Sequence, residues 1–154
     1  MLKTRKKQAF TIVLCALGLA ASAFAEAPPS DSGTLMVSIS NIRSDKGQIG
    51  CSLFGSEDGF PSEPNKAEAQ MFVKQSGGKA TCTFKGVKPG TYAVSVLHDE
   101  NQDGELETSL VGRPKEWWGV SNDVPAERFG PPKYEKAKFT YSGDAKAIPV
   151  KLQL

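Results

Sequence analysis

The stretch at residues 98–108, HDENQDGELET, carries side chains of the types that bind cations or transfer protons. Five carboxylates fall within nine residues, with no Lys or Arg between them; they are Asp99, Glu100, Asp103, Glu105 and Glu107. Like charges at this density repel one another, and a bound divalent cation would relieve the repulsion. The stretch is therefore a candidate metal site, a candidate active site or a solvated acidic turn.

The spacing of the oxygen-bearing side chains matches the start of a calcium-binding loop. Such a loop takes ligands at its first, third, fifth, seventh and ninth residues and places Gly at the sixth. The predicted calcium ligands are Asp99, Asn101, Asp103, Glu105 (through its carbonyl oxygen) and Glu107, with Gly104 at the turn. The twelfth residue is Leu110, where an EF-hand needs a bidentate Glu, so we expect a different kind of loop with weak affinity, about 10⁻⁴ to 10⁻³ M. The alternative is a bare turn, because Asp, Asn and Gly are turn residues in their own right.

His98 is the single histidine of the chain and precedes two of these carboxylates. A hydrolytic enzyme that uses His98 and the neighbouring carboxylates is therefore an alternative to a metal site. No nucleophile motif of the G-x-S-x-G type accompanies the histidine, and a histidine beside carboxylates is more often a structural hydrogen-bonding group. We expect no catalytic residues.

The Gly- and Pro-rich segment at residues 112–135 contains the second group of candidate residues. A long segment without a strand pattern is more often functional than filler. Adjacent tryptophans could form a stacking platform for a sugar ring or a partner side chain, because tryptophan presents a large rigid face. The candidate binding surface comprises Trp117, Trp118, Asn122 and Phe129, and Asn122 or Asp123 would complete the calcium site if the segment folds back onto the acidic loop. The alternative is that the tryptophans only anchor the segment to the core.

Two cysteines, Cys51 and Cys82, remain after an N-terminal segment that we expect to be removed. Both fall on the apolar faces of alternating strand patterns, so they can meet in the interior. An even count in an exported protein predicts one disulfide between them. The alternative is a pair of buried free thiols, because free cysteine is commonly buried.

Residues 1–25 have the order of a secretory signal peptide: a basic start, an apolar run and a small-residue end. Cleavage before Glu26 leaves a flexible linker at residues 26–33 and a single domain at residues 34–154. The net charge of the full sequence is +2, and it becomes −2 once the four basic residues of the signal are removed. A mildly acidic chain without a Lys/Arg cluster has no electrostatic footprint for nucleic acid. We therefore expect a periplasmic or secreted protein that binds no nucleic acid and has no membrane span after cleavage.

The rest of the sequence alternates between apolar and polar residues, which is the pattern of half-buried β-strands. The candidate strands are TLMVSIS, QIGCSLF, AQMFVKQ, KATCTF, TYAVSVL, KAKFTYS and AIPVKLQL. The SGG link between AQMFVKQ and KATCTF predicts a hairpin. About seven short strands with Gly and Pro at the turns predict an all-β fold, an antiparallel immunoglobulin-like or prealbumin-like sandwich with one long irregular loop.

Two groups of residues carry a resemblance to known families. The run F-x-x-V-x-P-G-x-Y at Phe84, Val87, Pro89, Gly90 and Tyr92 resembles the strand-turn-strand signature of prealbumin-like and carboxypeptidase-regulatory-like sandwiches. A wider pattern is similar to domain-of-unknown-function family 2141; it comprises Gly59-Phe60-Pro61, His98-Asp99-Glu100-Asn101, Asp103-Gly104, Gly112, Pro114-Lys115-Glu116, Gly119, Ser121-Asn122 and Arg128-Phe129-Gly130-Pro131-Pro132. This resemblance implies an exported bacterial β-sandwich and supplies no activity.

Together, these patterns predict an exported, non-catalytic binding or structural module with a calcium-stabilised acidic loop and an unknown protein or carbohydrate partner. Two alternatives stay open. One is a calcium-independent interaction domain that uses the acidic loop and the Trp pair, and the other is the hydrolytic enzyme at His98. Calcium is the cofactor that the sequence suggests.

Overall fold

The computed structural model describes residues 32–127 and 130–154. The predicted signal peptide and residues 26–31 of the predicted linker lie outside the described residues. Eight strands make up the described fold: β1 (Gly33–Ser40), β2 (Gln48–Phe54), β3 (Ala69–Val73), β4 (Ala80–Val87), β5 (Gly90–Asp99), β6 (Trp118–Val120), β7 (Phe139–Tyr141) and β8 (Lys146–Lys151). The helical elements are 3-10 turns at Pro64–Lys66 and Ser121–Asp123 and the short helix α1 (Tyr134–Ala137). Within the described part of the chain, no helix is long and apolar enough to cross a membrane.

The strands form two facing sheets, as the sequence predicts for a sandwich. One sheet has the order β4-β1-β8; the other has the order β3-β2-β5-β6, and β7 pairs with the beginning of β5. The strand pairs are antiparallel except for β1 with β8, which are parallel from Leu35↔Lys146 to Ser40↔Lys151. The all-β sandwich is therefore confirmed, with eight strands instead of about seven. Strand β6 interrupts the loop that the sequence predicts to be irregular.

The core lies between the inward faces of the two sheets. On β1 and β2, the inward residues are at most 2 % exposed; they are Leu35, Val37, Ile39, Ile49, Cys51 and Leu53. Strand β5 adds Tyr92, Val94 and Val96, and β8 adds Ile148 and Val150. Each fully buried aliphatic side chain contributes roughly 1.5 to 3 kcal/mol relative to an exposed one. This burial holds the second sheet in place, and that sheet carries the candidate site.

The predicted hairpin between AQMFVKQ and KATCTF is confined to its turn, where Ser76 and Lys79 exchange backbone hydrogen bonds of 2.9 and 3.2 Å, and the prediction that the two strands pair is wrong. Strand β3 pairs with β2 and strand β4 pairs with β1, so the two runs lie in different sheets. Gly77 and Gly78, with φ of 59° and 74°, form the turn that carries the chain from one sheet to the other. A local turn signal marks where the chain reverses, but it does not specify the partner of each strand.

The predicted disulfide is present between Cys51 on β2 and Cys82 on β4. Both residues are fully buried. The bond therefore links the two sheets through the core. The period-two alternation of the two strands places both thiols on inward faces, which is why the pairing is predictable.

The C-terminal residues close one side of the sandwich. Past β8, the backbone of Gln153 exchanges hydrogen bonds of 2.7 and 2.9 Å with Trp118, so the three-stranded sheet joins β6 of the other. Gly119 permits this approach, because a Cβ there would lie 2.9 Å from the carbonyl oxygen of Lys151. On the opposite side, β3 and β4 leave an edge cleft of about 540 Å³, lined by side chains that include Met71.

Candidate functional site

Asp99, the last residue of β5, organises the acidic loop from inside. Its side chain is fully buried. Its carboxylate accepts four hydrogen bonds, from the N–H groups of Gln102 (2.6 Å), Asp103 (3.2 Å) and Gly104 (3.0 Å) and from the Gln48 amide (3.0 Å). A carboxylate has about four lone-pair positions, so those of Asp99 are occupied by protein donors. The sequence predicts Asp99 as a calcium ligand, and the structure places it as the acceptor around which the loop turns.

Glu116 holds the same loop from the other side. Its side chain is 7 % exposed, its Oε1 accepts the N–H of Glu100 at 3.1 Å, and its Oε2 accepts the N–H of Glu107 at 3.0 Å. Hydrogen bonds to an ionised acceptor are about twice as strong as neutral ones, so Glu116 and Asp99 together fix the loop backbone. Sequence reasoning assigned no role to Glu116. Its one signal was membership of the family pattern, because its partners are backbone groups that no local pattern reveals.

Three of the predicted calcium ligands converge at the exposed end of the loop. The Asn101 amide nitrogen donates to Asp103 Oδ2 at 2.7 Å and to Glu107 Oε1 at 3.2 Å. The amide NH₂ group therefore occupies the point where the two carboxylates meet. Glu105 donates its N–H to Asp103 Oδ1 at 2.9 Å, and its own side chain is exposed. In the described ranges, no group of three or more His, Cys, Asp or Glu side chains is placed to hold a metal ion.

The segment after the loop folds back onto it. Thr108 and Pro114 form an antiparallel bridge. The Lys115 N–H donates to the Glu107 carbonyl at 2.8 Å. The start of the 112–135 segment therefore braces the acidic loop.

Asn122 and Asp123, which the sequence suggests as completing ligands, are engaged elsewhere. The Asn122 amide donates to the carbonyls of Lys136 and Lys138, both at 3.1 Å. Asp123 Oδ1 accepts the N–H of Lys151 at 2.7 Å. The structure therefore does not bring these two residues to the acidic loop, and both serve to attach the segment to its neighbours.

Trp117 and Trp118 point to opposite sides of the second sheet and form no shared platform. Trp117 packs against the main core, and the Arg43 guanidinium carbon lies 5.0 Å from its ring centre. Trp118 is 8 % exposed and belongs to a separate apolar cluster that includes Phe54. Adjacent residues of an extended chain face opposite sides, so the pair is divided between two clusters. Phe129 of the predicted binding surface lies outside the described residues.

His98 is fully buried beneath the acidic loop. Its Nε2 donates to the Lys46 carbonyl at 3.0 Å. Its Nδ1 has no hydrogen-bond partner among the described residues and lies 3.9 Å from Glu100 Oε1. His98 lines neither the edge cleft nor the groove on the outer face of the second sheet. Its position is that of a structural hydrogen-bonding group.

A groove of about 740 Å³ crosses the outer face of the second sheet beside the acidic loop. We call it the outer groove. Small residues of β2 and β5 form its floor; they are Gly50, Ser52 and Ser95. Phe72 of β3 and Trp118 of β6 bound its sides. The loop at residues 61–65 closes one end of the groove, and the acidic loop closes the other. The first loop follows β2 and the second follows β5, and since these strands are antiparallel, the two loops lie at opposite ends.

The rim of the outer groove is acidic. Its ionisable lining residues are Glu63, Asp103 and Glu105. Lys66 pairs with Glu63 at 3.2 Å, whereas no Lys or Arg of the described chain forms an ion pair with Asp103 or Glu105. Phe72 is 43 % exposed, so apolar surface adjoins these two carboxylates. The groove thus combines a small-residue floor, apolar walls and uncompensated negative charge.

A family model described as an uncharacterized protein conserved in bacteria (DUF2141) matches residues 37–149 of this chain. The match runs from β1 to β8 and covers the acidic loop and every residue that lines the outer groove. No curated protein and no solved structure matches the chain.

Proposed function

Because the chain belongs to the DUF2141 family, whose description assigns no activity, we propose a function from its geometry: a non-catalytic binding module whose outer groove takes a partner segment with apolar and basic side chains. This is the calcium-independent interaction domain predicted as an alternative from the sequence, with the groove in place of the Trp pair. One observation carries the proposal. Exposed apolar surface adjoins two carboxylates, Asp103 and Glu105, that form no ion pair with a Lys or Arg of the described residues.

The apolar part of the groove supports contact with a chain segment. Gly50, Ser52 and Ser95 leave room for partner side chains to approach the sheet. Phe72, which is 43 % exposed, offers most of the accessible aromatic surface, whereas Trp118 is 8 % exposed, and aromatic residues dominate the energetics of protein interfaces. Apolar area removed from water contributes roughly 25 cal/mol per Å². We therefore assign most of the affinity to these walls.

The acidic part of the groove supports a basic partner. Asp103 and Glu105 create a local negative potential, which attracts Lys and Arg and repels acidic segments. An exposed ion pair adds only about 0.2 to 1 kcal/mol, so these charges contribute more to selection and to the association rate than to affinity. Binding should consequently weaken as salt concentration rises.

The placement of His98 supports a module without catalysis. A general base must come within hydrogen-bond reach of a substrate proton, and the His98 ring is fully buried and lines neither the edge cleft nor the outer groove. Its Nε2 is already bonded to the Lys46 carbonyl. We therefore propose no role for His98 in hydrolysis.

We place the module in the periplasm or outside the cell. The disulfide between Cys51 and Cys82 supports this location, because disulfides persist in oxidising compartments. The order of residues 1–25 supports it as well. Mass spectrometry of the protein produced in a bacterium tests the proposal. A mature chain beginning at Glu26 supports export, and a chain that retains residues 1–25 contradicts it.

Calcium in the acidic loop is the second candidate, favoured by the convergence of Asp103 and Glu107 on one Asn101 amide. Binding requires Asn101 to turn its oxygen toward the ion, because its NH₂ group now lies between the carboxylates. Thermal melting in chelator and in about 1 to 10 mM calcium is the test. A bound ion raises the midpoint, and Asn101→Ala should abolish the rise. Equal midpoints in both solutions would remove this candidate.

Two synthetic hexapeptides test the groove, one alternating Leu with Lys and one alternating Leu with Glu. In NMR titrations of labelled protein, the Leu-Lys peptide should shift the amide signals of Gly50, Ser95 and Gly119. The Leu-Glu peptide should leave them in place. Equal binding of the two peptides, or shifts confined to other surfaces, would contradict the proposal.

Matched variants locate the contact. Phe72→Ala and Glu105→Lys should each weaken binding of the Leu-Lys peptide by about five- to tenfold. Met36→Ala and Asp45→Lys are the controls, since both residues are exposed and neither lines the groove. Binding that survives Phe72→Ala and Glu105→Lys unchanged would place the peptide elsewhere.

A further inference from the structure

The hairpin at residues 108–114 presents two apolar side chains at its tip. Leu110 is 108 % exposed and Val111 is 80 % exposed. The tip is ordered, because the Ser109 N–H donates to the Arg113 carbonyl at 2.7 Å. Single exposed apolar residues are normal on a protein surface, whereas two adjacent ones held out by an ordered turn form a larger apolar surface that a partner can cover.

A cation accompanies the apolar pair. Arg113 forms no ion pair with any residue in the described ranges. Leu110, Val111 and Arg113 therefore give the tip an apolar and basic character. This is the chemistry that complements the walls and the acidic rim of the outer groove.

Thr108 connects the tip to the groove. It lines the outer groove and pairs with Pro114 at the base of the hairpin. The tip and the groove are therefore neighbours on the molecule, and the full exposure of Leu110 shows that the tip does not fill the groove of its own copy. When two complementary patches lie side by side on one molecule, a twofold dimer can bring the tip of each copy against the groove of the other, so that each contact is made twice.

We propose that the protein forms a weak symmetric homodimer in which Leu110 and Val111 of each copy enter the outer groove of the other. In this dimer, Arg113 faces the other copy's Asp103 and Glu105. The inference rests on the proposed function, because both use the same groove. Weak, transient interfaces bury less than about 1,200 Å², and reciprocal insertion doubles the area that one tip contributes. Self-association then keeps the groove closed until a partner segment displaces the tip.

Sedimentation equilibrium from about 10 μM to about 1 mM protein measures this dimer. The wild type should pass from monomer to dimer within that range. The double variant Leu110→Ser/Val111→Ser should associate at least about tenfold more weakly. Met36→Ser, which changes an exposed apolar residue outside both patches, should dimerise like the wild type. A wild type that stays monomeric, or a dimer that survives the double variant, overturns the inference.

A charge exchange tests the register of the contact. Arg113→Glu should weaken the dimer at least about tenfold, because like charges then face each other. Adding Glu105→Arg should restore it. Equal dimerisation of wild type and Arg113→Glu overturns the proposed contact.

Peptide binding separates this inference from the proposed function. If the Leu-Lys peptide binds the groove while the wild type is monomeric, the dimer is excluded and the proposed function stands. If the wild type dimerises through the tip while the peptide does not bind the double variant, the dimer stands and the proposed function fails.

Discussion

Glu116 accepts the N–H of Glu107 at 3.0 Å and thereby ties the far end of the acidic loop to the segment that follows it. At the near end of the loop, the Asp99 carboxylate accepts backbone N–H groups of the loop itself. The loop is therefore shaped by two buried carboxylates, while its other acids remain on the surface. This division separates the acids of the stretch into buried groups that bind the backbone and exposed groups at the surface. The buried acids Asp99 and Glu116 hold the backbone, and two of the exposed acids, Asp103 and Glu105, line the outer groove.

Replacing Glu116 by Gln should lower the free energy of unfolding by about 1.5 to 3 kcal/mol. The amide keeps one acceptor and turns its NH₂ group toward one of the N–H donors of the loop, so a buried backbone donor is left without a partner. Urea denaturation measures the loss, and hydrogen exchange should become faster at the amides of Glu100 and Glu107.

Glu105→Gln is the matched control for Glu116→Gln. Its side chain is exposed, so the free energy of unfolding should change by no more than about 0.5 kcal/mol. Equal stability of the two variants would show that Glu116 does not brace the loop.

The core of the sandwich was predictable because a strand that is buried on one face has an apolar residue at every second position of its sequence. Leu35, Val37 and Ile39 follow that period, and so do Cys51 and Cys82. The partner strands of β3 and β4 were not predictable from the sequence, because the same alternation of apolar and polar residues fits a strand in either sheet. Strand β6 is three residues long, which is too short for any period to show.

The site was predictable only where a residue contacts others that lie close to it in the sequence. Asn101 and Asp103 meet within the loop because turn residues form hydrogen bonds with close neighbours. Glu116 and Phe72 reach the loop and the groove through tertiary packing, which spacing along the chain does not encode. The outer groove exists only once β2, β5 and β6 are side by side.

The disulfide should contribute about 3 to 4 kcal/mol to the free energy of unfolding. Cys51 and Cys82 are 31 residues apart, and in the chain-entropy model a crosslink closing a loop of this size restricts the unfolded chain by about that amount. The double variant Cys51→Ala/Cys82→Ala should show this loss in urea denaturation. Addition of a reductant should destabilise the wild type to a similar extent and leave the double variant unchanged. A wild type that is insensitive to full reduction would contradict the expectation.

Gly119→Ala should destabilise the fold by roughly 1 to 3 kcal/mol. The new Cβ would lie 2.8 Å from Val150 Cγ1 and 2.9 Å from the Lys151 carbonyl oxygen, and the backbone of Lys151 cannot move without opening the closed side of the sandwich. Gly50→Ala is the comparison. Its Cβ would meet the Phe72 ring at 3.0 Å, and that half-exposed ring can tilt away. Thermal melting should therefore show the larger loss for Gly119→Ala, and the reverse order would contradict this account of the closure.

Tyr141 should make the protein sensitive to alkaline pH. Its side chain is fully buried, its hydroxyl has no hydrogen-bond partner among the described residues, and burial raises the pKa of Tyr141. The folded state then holds the phenolic proton more tightly than the unfolded state. The resulting stabilisation is complete below the unfolded pKa of about 10 and is lost as pH rises through the folded pKa.

Tyr141→Phe should reduce the loss of folding stability at alkaline pH without abolishing it, because burial also raises the pKa of Tyr92 and Tyr134. Near neutral pH the variant should be as stable as the wild type or more so, since it removes an unpaired buried hydroxyl.

Tyr92→Phe is the matched control: the Tyr92 hydroxyl donates to the Lys88 carbonyl at 3.0 Å, and losing that bond should cost about 0.5 to 1.5 kcal/mol. Urea denaturation at about pH 8 and about pH 10.5, on either side of the ordinary tyrosine pKa, measures both effects. A Tyr141→Phe variant that is less stable than Tyr92→Phe at the lower pH would mean that the Tyr141 hydroxyl has a partner after all.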